Sequence, residues 1–507
     1  MDDKESARIR EPIGFVRLIQ DLDLPVPMPT VRSEAVAGAR RTKISETSVT
    51  EEYPRSYAPE GITGQLKFAM RYEPLHLGIL NAAFRVLDVC LLESWIREER
   101  TGVFARRAWY LFELLTGKTL DIPDVPPTGY VDLLDKTIHI TGSATRVRRQ
   151  RVNDNLLGTR WYCPLIRRTD TLETAMAAGL QQRAQDLVES CDPAVLARAV
   201  NYLFTKETKS SYAIEGEIPN AARSERFVAA LTHAATFNTS DPQAFVRLQN
   251  AIVEPRYAEK GWRTVQNFVG QTRSDFTEHV HFACPKPDDV PPLIEGWMQT
   301  TERLHSSQTD AICAAAAAAF GFVFIHPFED GNGRIHRFLI HHMLAHSGFT
   351  PDGLLFPVSA VMLRDRRAYD RVLNTYSALV MPFVNYTFTG EGRMTVANDT
   401  ADLYRYWDAT AFAEYLYSVV EQAIQHDLRE EIDFLQVFDT AVRRTTDIVD
   451  MPDRRASLLV RLIIQNKGKL ARGRRDHFAE IADHELEAIE DAVRTSVPSH
   501  QTKGEMD

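Results

Sequence analysis

Apolar residues recur at helical spacing along most of the chain. Leu75, Leu77, Leu80, Phe84 and Leu87 return close to the 3.6-residue period within Leu66–Leu115, and a second run covers Val103 to Leu115. The segment Asp121-Ile-Pro-Asp-Val-Pro-Pro127 breaks the pattern. The same periodicity predicts helices over Thr171–Glu189, Pro193–Ser210, Arg223–Phe237, Pro292–Ser306, Asp310–Phe324 and Arg334–Ala345, and over much of 364–380 and 409–445. Ala314 to Ala319 are consecutive alanines, which favour a helix and let neighbouring helices approach closely. Three stretches read differently. Residues 1–60 are rich in charge, Pro, Ser and Thr, and predict an extended or partly disordered arm. Thr137 to Thr141 alternates and predicts a short strand. Gly261–Pro287 mixes aromatic and β-branched residues with Gly and Thr, which predicts a β-hairpin at about 265–287. The expected fold is all-α with one hairpin. Its expected parts are the arm, a helical module over 61–204, a central domain over 205–390 and a helical module over 391–507.

Composition adds mainly exclusions. Of 507 residues, 44% are hydrophobic and 25% charged, the balance of an ordinary globular protein. The net charge of −10 argues against a general nucleic-acid or membrane-surface binder. A basic run between Arg454 and Arg475 is the one local exception, and it reads best as a solvated face beside an acidic helix. The five cysteines are widely spaced without a Cys-x-x-Cys pair, which excludes a zinc ribbon or disulfide scaffold and suits a reducing compartment. The N-terminal residues carry no apolar signal core, and no apolar run is long enough to span a bilayer. A cytoplasmic protein without membrane contact is expected.

The chemistry concentrates between His326 and Arg337. Pro327 stops the preceding helix, Gly331, Asn332 and Gly333 permit a tight turn, and a helix begins directly afterwards. Backbone N–H groups of such a loop form an anion-binding nest. Arg334 and Arg337 are three residues apart and share a helix face. Asp330 is a hard oxygen ligand of the kind Mg²⁺ takes alongside phosphates. His326 is suited to general-base work near neutral pH. Together these residues point to phosphoryl or nucleotidyl transfer from a metal-bound polyphosphate.

The segment resembles the signature of the Fic (Fic/Doc) family, His-x-Phe-x-[Asp/Glu]-Gly-Asn-Gly-Arg-x-x-Arg, at every fixed position. The resemblance implies a helical Fic core with a β-hairpin flap over roughly 205–390. It implies transfer of AMP from ATP to a Ser, Thr or Tyr hydroxyl of a target protein. It gives His326 the role of base, Asp330 that of Mg²⁺ ligand, and Gly331, Asn332 and Gly333 that of a cradle for the α- and β-phosphates. Arg334 and Arg337 would bind the outer phosphates, and Phe328 would pack the loop onto the core. Ser211-Tyr-Ala-Ile-Glu215-Gly216 is similar to the family's inhibitory motif, [Ser/Thr]-x-x-x-Glu-[Gly/Asn], and implies a brake formed by Glu215 on Arg337. Val269, Gly270, Gln271 and Thr272 match the nucleotide-facing part of the flap, through which the target protein would be bound. Where members often carry Pro-Pro, this chain reads Cys284-Pro285-Lys286-Pro287. Tyr369 resembles the tyrosine that packs near the adenine, and reads equally well as a core residue.

Other readings of the same residues stay open. The site could remove AMP, with Glu215 orienting water, or could use UTP, GTP or CDP-choline as donor. The family's kinase branch typically has Lys where Gly333 stands, which argues against that reaction. A non-enzymatic regulatory protein has no reason to retain His326, Asp330, Arg334 and Arg337 together. Self-modification and a homodimer are compatible with the reading. His342 and His346, four residues apart, lack an acidic or Cys partner at metal-ligand spacing and read as helix-face residues.

Overall fold

A computed structural model describes residues 10–45, 48–272, 278–389 and 393–496. The chain is mainly helical, and the helices fall close to where the apolar period places them.

Residues 11–54 differ from the expected arm. Strands β1 (Glu11–Ile13), β2 (Val31–Val36), β3 (Arg41–Ile44) and β4 (Val49–Pro54) form a sheet in the order β1-β2-β4-β3, with helix α1 (Phe15–Asp21) after β1. The β2–β4 pair is parallel and the other two pairs are antiparallel. The segment is ordered because most of its larger apolar side chains pack inward: Ile13, Phe15, Val16, Leu18, Ile19, Leu24, Ala35 and Tyr53 are buried, whereas Ile44 on the edge strand β3 is exposed. Composition counted the charges on the outer face and missed that alternation. Helices α2 (Gly61–Tyr72), α3 (Leu77–Val86), α4 (Val89–Glu98) and α5 (Val103–Thr116) complete the N-terminal module.

The predicted strand at Thr137–Thr141 is a turn with a single bridge from His139 to Arg167. The extended pairs lie to either side, in β5 (Val131–Asp132), β6 (Thr145–Val147) and β7 (Val152–Asp154), ordered β5-β7-β6. Strands this short carry too few residues for a period to register.

The central core is built from α6 (Asp170–Ala177), α7 (Leu180–Glu189), α8 (Pro193–Ile214), α9 (Ala221–Thr232) and α10 (Pro242–Ile252). Next come the hairpin β8 (Phe268–Thr272) and β9 (Glu278–Ala283), then α11 (Val290–His305), α12 (Ala311–Ile325), α13 (Asn332–His346), α14 (Val358–Arg364) and α15 (Arg366–Val380). A second hairpin, β10 (Tyr386–Phe388) and β11 (Met394–Val396), precedes α16 (Ala401–Arg405) and α17 (Thr410–Gln422). One continuous apolar core runs from Ile140 to Ile432. The expected boundary between residues 204 and 205 therefore falls inside α8, and the boundary near 390 falls inside the core. A π-type turn (Ala423–Leu428) leads into α18 (Arg429–Ile448), which packs with α19 (Asp453–Gln465) and α20 (Asp483–Ser496) around a small separate core. In the basic run, Arg455 pairs with Glu480 and Arg475 with Asp483, so both serve the module's own packing.

Helix α12 positions the site. It is buried on nearly all sides from Ile312 to Phe322, where its alanines admit neighbouring helices. A β-carbon on Gly321 would lie 1.5 Å from the Tyr162 hydroxyl, so only glycine fits there. Asp310 caps its N-terminus, accepting from the Cys313 N–H at 2.9 Å.

Candidate active site at the start of helix α13

Helix α12 ends on His326, which adopts a left-handed conformation with φ 52°. Pro327 removes the N–H that would continue the helix. Gly331 (φ 93°) turns the chain into α13. The Asn332 side chain closes this loop on itself. Its Oδ1 accepts from the Phe328 N–H at 3.0 Å, and its Nδ2 donates to the Phe328 carbonyl at 2.8 Å. Asn332 therefore offers an anion only its backbone. Phe328 is fully buried and packs against Trp262, with ring centroids 5.1 Å apart.

His326 Nδ1 lies 3.2 Å from the Val323 carbonyl. A carbonyl accepts only, so Nδ1 carries the proton and Nε2 keeps its lone pair. Burial and the neighbouring Arg263 guanidinium push the imidazole down to about 4. It is neutral at physiological pH.

Arg263 went unnoticed in the sequence, because a lone arginine in an aromatic stretch carries no motif. It is 3% exposed. Its guanidinium donates to three carbonyls: His326 at 2.7 Å, Val265 at 2.9 Å and Pro285 at 2.6 Å. It thus ties the loop that begins at His326 to both ends of the β8–β9 hairpin. Asn267 adds a bond from Nδ2 to the Glu329 carbonyl at 3.1 Å. The hairpin itself is antiparallel with a bulge between Val269 and Gly270. Val269, Gly270, Gln271 and Thr272 all lie on β8.

The two arginines of the motif are buried and already engaged. Arg337 Nε donates to Ser211 Oγ at 2.9 Å, and Nη2 donates to the Ser211 carbonyl at 2.7 Å and to Glu215 Oε1 at 2.8 Å. Nη1 has no hydrogen-bond partner. Ser211 and Glu215 come from the end of α8, where Gly216 (φ 72°) lets the chain turn away. Desolvation raises the Glu215 carboxyl, but Arg337, with Arg334 and Arg366 behind it, outweighs that and holds it below the usual carboxylate range. The carboxylate also sits directly over Gly333, where a β-carbon would lie 2.2 Å from Oε1.

Arg334 Nη2 meets Asp330 Oδ1 at 2.7 Å, and its Nη1 meets Glu217 Oε1 at 3.1 Å. Its Nε has no partner. Asp330 Oδ1 also accepts from the Gly331 N–H at 2.6 Å. Tyr369 is buried, with its ring parallel to that of His336, 6.3 Å away. His342 Nδ1 is bonded to the Ala234 carbonyl at 2.8 Å.

These residues fit a bound polyphosphate. The first-turn N–H groups of α13 face the loop, two buried guanidinium nitrogens lack partners, and a carboxylate already occupies the volume over Gly333. They fit Mg²⁺ only as an ion carried largely by phosphates. Asp330 presents one carboxylate, and no group of three His, Cys, Asp or Glu side chains among the described residues is arranged to hold a metal. Among the described residues no helix is long and apolar enough to cross a membrane.

Part of the chain is similar in sequence to known proteins. Residues 240–344 match the sequence model of the Fic/DOC family. Over 67 residues the chain is 37% identical to proteins named protein adenylyltransferase Fic from Drosophila virilis and Drosophila melanogaster. That stretch is 13% of this chain and 14% of each relative. A crystal structure of a Fic family protein from Desulfovibrio desulfuricans aligns with a TM-score of 0.39 at 18% identity, covering 56% of this chain and 82% of that one. A Fic domain containing signaling protein from Bacteroides thetaiotaomicron aligns at 0.36 and 16% identity, covering 53% and 97%. Ser211–Gly216 lies outside the matched segment, whereas the whole loop from His326 to Arg337 lies within it. Residues 240–344 of this chain are a Fic/DOC family domain.

Proposed function

We propose that this protein is a protein adenylyltransferase that moves AMP from ATP to a Ser, Thr or Tyr hydroxyl of a target protein, with Glu215 acting as a built-in brake. The observation that carries the reading is the Glu215 carboxylate seated over Gly333 and bonded to Arg337. It supports the view that this cradle is built for an anion and is now held by one.

In the released state His326 Nε2 takes the proton from the target hydroxyl. The hydroxyl oxygen then bonds to the α-phosphorus, the bond from that phosphorus to the bridging oxygen breaks, and pyrophosphate leaves. The N–H groups at the start of α13 bind developing charge on the phosphate oxygens. Arg337 holds the outer phosphates and so aligns the α-phosphorus with His326. Asp330 would hold Mg²⁺, which neutralises charge on the phosphates and the leaving group. Strand β8 belongs to a two-stranded ribbon, and its other edge offers backbone groups to an extended target segment. All five cysteines are unpaired, which supports a reducing, cytoplasmic setting.

The brake works by position. A misplacement of about 1 Å can cost roughly 10²-fold in rate, so displacing the outer phosphates from Arg337 suffices. The test is incorporation from α- and γ-labelled ATP, followed with intact mass, in wild type, Glu215→Gly and Glu215→Gly/Arg337→Ala. We expect α-label only, a faster reaction in the single variant and loss of the gain in the double. A γ-label would mean a kinase. A single variant no faster than wild type would remove the brake from the reading.

A further inference from the structure

The Glu215–Arg337 contact is one half of a larger arrangement. Glu217 stands two residues further on, across Gly216. Its Oε1 is 3.1 Å from Arg334 Nη1, and its Oε2 is 2.6 Å from Arg223 Nη2. Arg334 is 1% exposed and Arg223 8%. Their guanidiniums lie over the Tyr212 ring, 5.2 and 5.0 Å from its centroid. The Tyr212 hydroxyl, Arg223 and Arg334 all donate to the Ile252 carbonyl. The arginines are therefore fixed from below by the core and met from above by Glu217.

Charge sharpens the picture. The ion pairs at the loop join Arg223, Arg334 and Arg337 to Glu215, Glu217 and Asp330. Within these pairs three positive and three negative charges cancel, and Arg366, which also acts on Glu215, is paired with Asp370. A site in that state offers little to a triphosphate carrying several negative charges. Opening Glu215 alone leaves Arg334 covered by Glu217 on Nη1 and by Asp330 on Nη2. Withdrawing both glutamates leaves two unbalanced positive charges beside the loop.

We propose that Glu217 is a second inhibitory carboxylate, and that the Glu215-Gly216-Glu217 segment caps the site as a two-pronged mimic of the outer phosphates, one prong on each arginine of the motif. This rests on the nucleotide-transfer reading of the same loop. The two prongs hang from one backbone turn: the Glu215 and Glu217 N–H groups each donate to the Tyr212 carbonyl at 3.0 Å, with Gly216 at φ 72° between them. Glu217 is a positioning residue. It touches no substrate and acts by occupying Arg334.

The experiment measures affinity directly, by equilibrium dialysis of labelled ATP, ADP and AMP with Mg²⁺, in wild type, Glu215→Gly, Glu217→Gln and the double variant. Gln keeps the shape and an acceptor oxygen, so Arg223 and Arg334 keep a partner, and thermal unfolding verifies that each variant is folded. We expect Glu217→Gln to tighten ATP binding at least about fivefold in both backgrounds, the lower end of typical coupling between sites. ADP should gain less and AMP nothing, because AMP lacks the outer phosphates. A purely structural role would move all three nucleotides alike. Glu217→Asp should fall between wild type and Gln. Unchanged or weaker ATP binding in Glu215→Gly/Glu217→Gln than in Glu215→Gly would overturn the proposal. If the double variant binds ATP tightly but transfers no AMP, the two-pronged cap stands and the transferase reading fails.

Discussion

Glu215 and Gly333 share one volume. The carboxylate at the end of α8 lies where any side chain on Gly333 would begin, with only 2.2 Å between Oε1 and a β-carbon there. The residue that seals the loop and the residue that keeps it open are thus matched across two helices far apart in sequence.

That match predicts the behaviour of Gly333→Ala. Gly333 is in the first turn of α13, its φ is not positive, and the clashing atom is the end of a flexible side chain. The fold should survive, because that side chain can turn aside, but the Glu215–Arg337 pair must give way, which offsets the helix propensity Ala gains over Gly, so stability should stay within about 1 kcal/mol of wild type. The methyl group nonetheless fills the space an anion needs. AMP incorporation should be lost, and Glu215→Gly should not restore it. Chemical denaturation and a labelled-ATP assay check the two halves separately.

The depressed His326 predicts an unusual acid limb. The imidazole is held at about 4, against an ordinary value of about 6.5. In the released Glu215→Gly variant, base-dependent transfer should persist well below pH 6 and fall only as pH approaches about 4. Stability moves the same way. Between about 6.5 and about 4 the unfolded chain binds a proton at His326 that the native chain refuses, so stability declines as pH falls through that window. A transfer-rate profile with its midpoint near 6.5 would contradict the assignment. His326→Ala should lose about 10²–10⁴-fold in rate.

Asp330→Ala separates structure from metal chemistry. Its carboxylate is 46% exposed but pairs with a guanidinium only 1% exposed, which keeps Glu217 as its other partner, so the loss should cost about 1–3 kcal/mol. ATP binding should instead lose its dependence on Mg²⁺. Calorimetric titration of ATP with and without the ion is the check, and unchanged dependence would contradict the role.

Arg263→Ala should be the most damaging of these changes to the fold. Three carbonyls of Val265, Pro285 and His326 lose a buried charged donor. Each unsatisfied group costs about 1–3 kcal/mol, so the total is on the order of 3 kcal/mol or more. Arg263→Lys should rescue little, because an ammonium cannot reproduce the planar three-way fork. Urea unfolding measures the loss.

The primary sequence determined most of the local chemistry. The loop from His326 to Arg337 was legible because its parts are contiguous, and contiguity fixes turn, anion nest and helix face together. The helices were legible where the 3.6-residue period runs for ten residues or more. The sheet at 11–54 was not, because its strands are short and its apolar positions few. Only burial shows that Ile13, Ala35 and Tyr53 point to one side. Glu217, Arg223 and Arg263 were invisible for another reason. Each has its meaning from a partner far along the chain: Arg334 for Glu217, the Ile252 carbonyl for Arg223, and the His326 and Pro285 carbonyls for Arg263. Tertiary packing alone decided that α8 ends over α13, and so that two carboxylates meet two arginines there. A buried charge requires a partner wherever the fold can supply one, and sequence spacing does not say where that is.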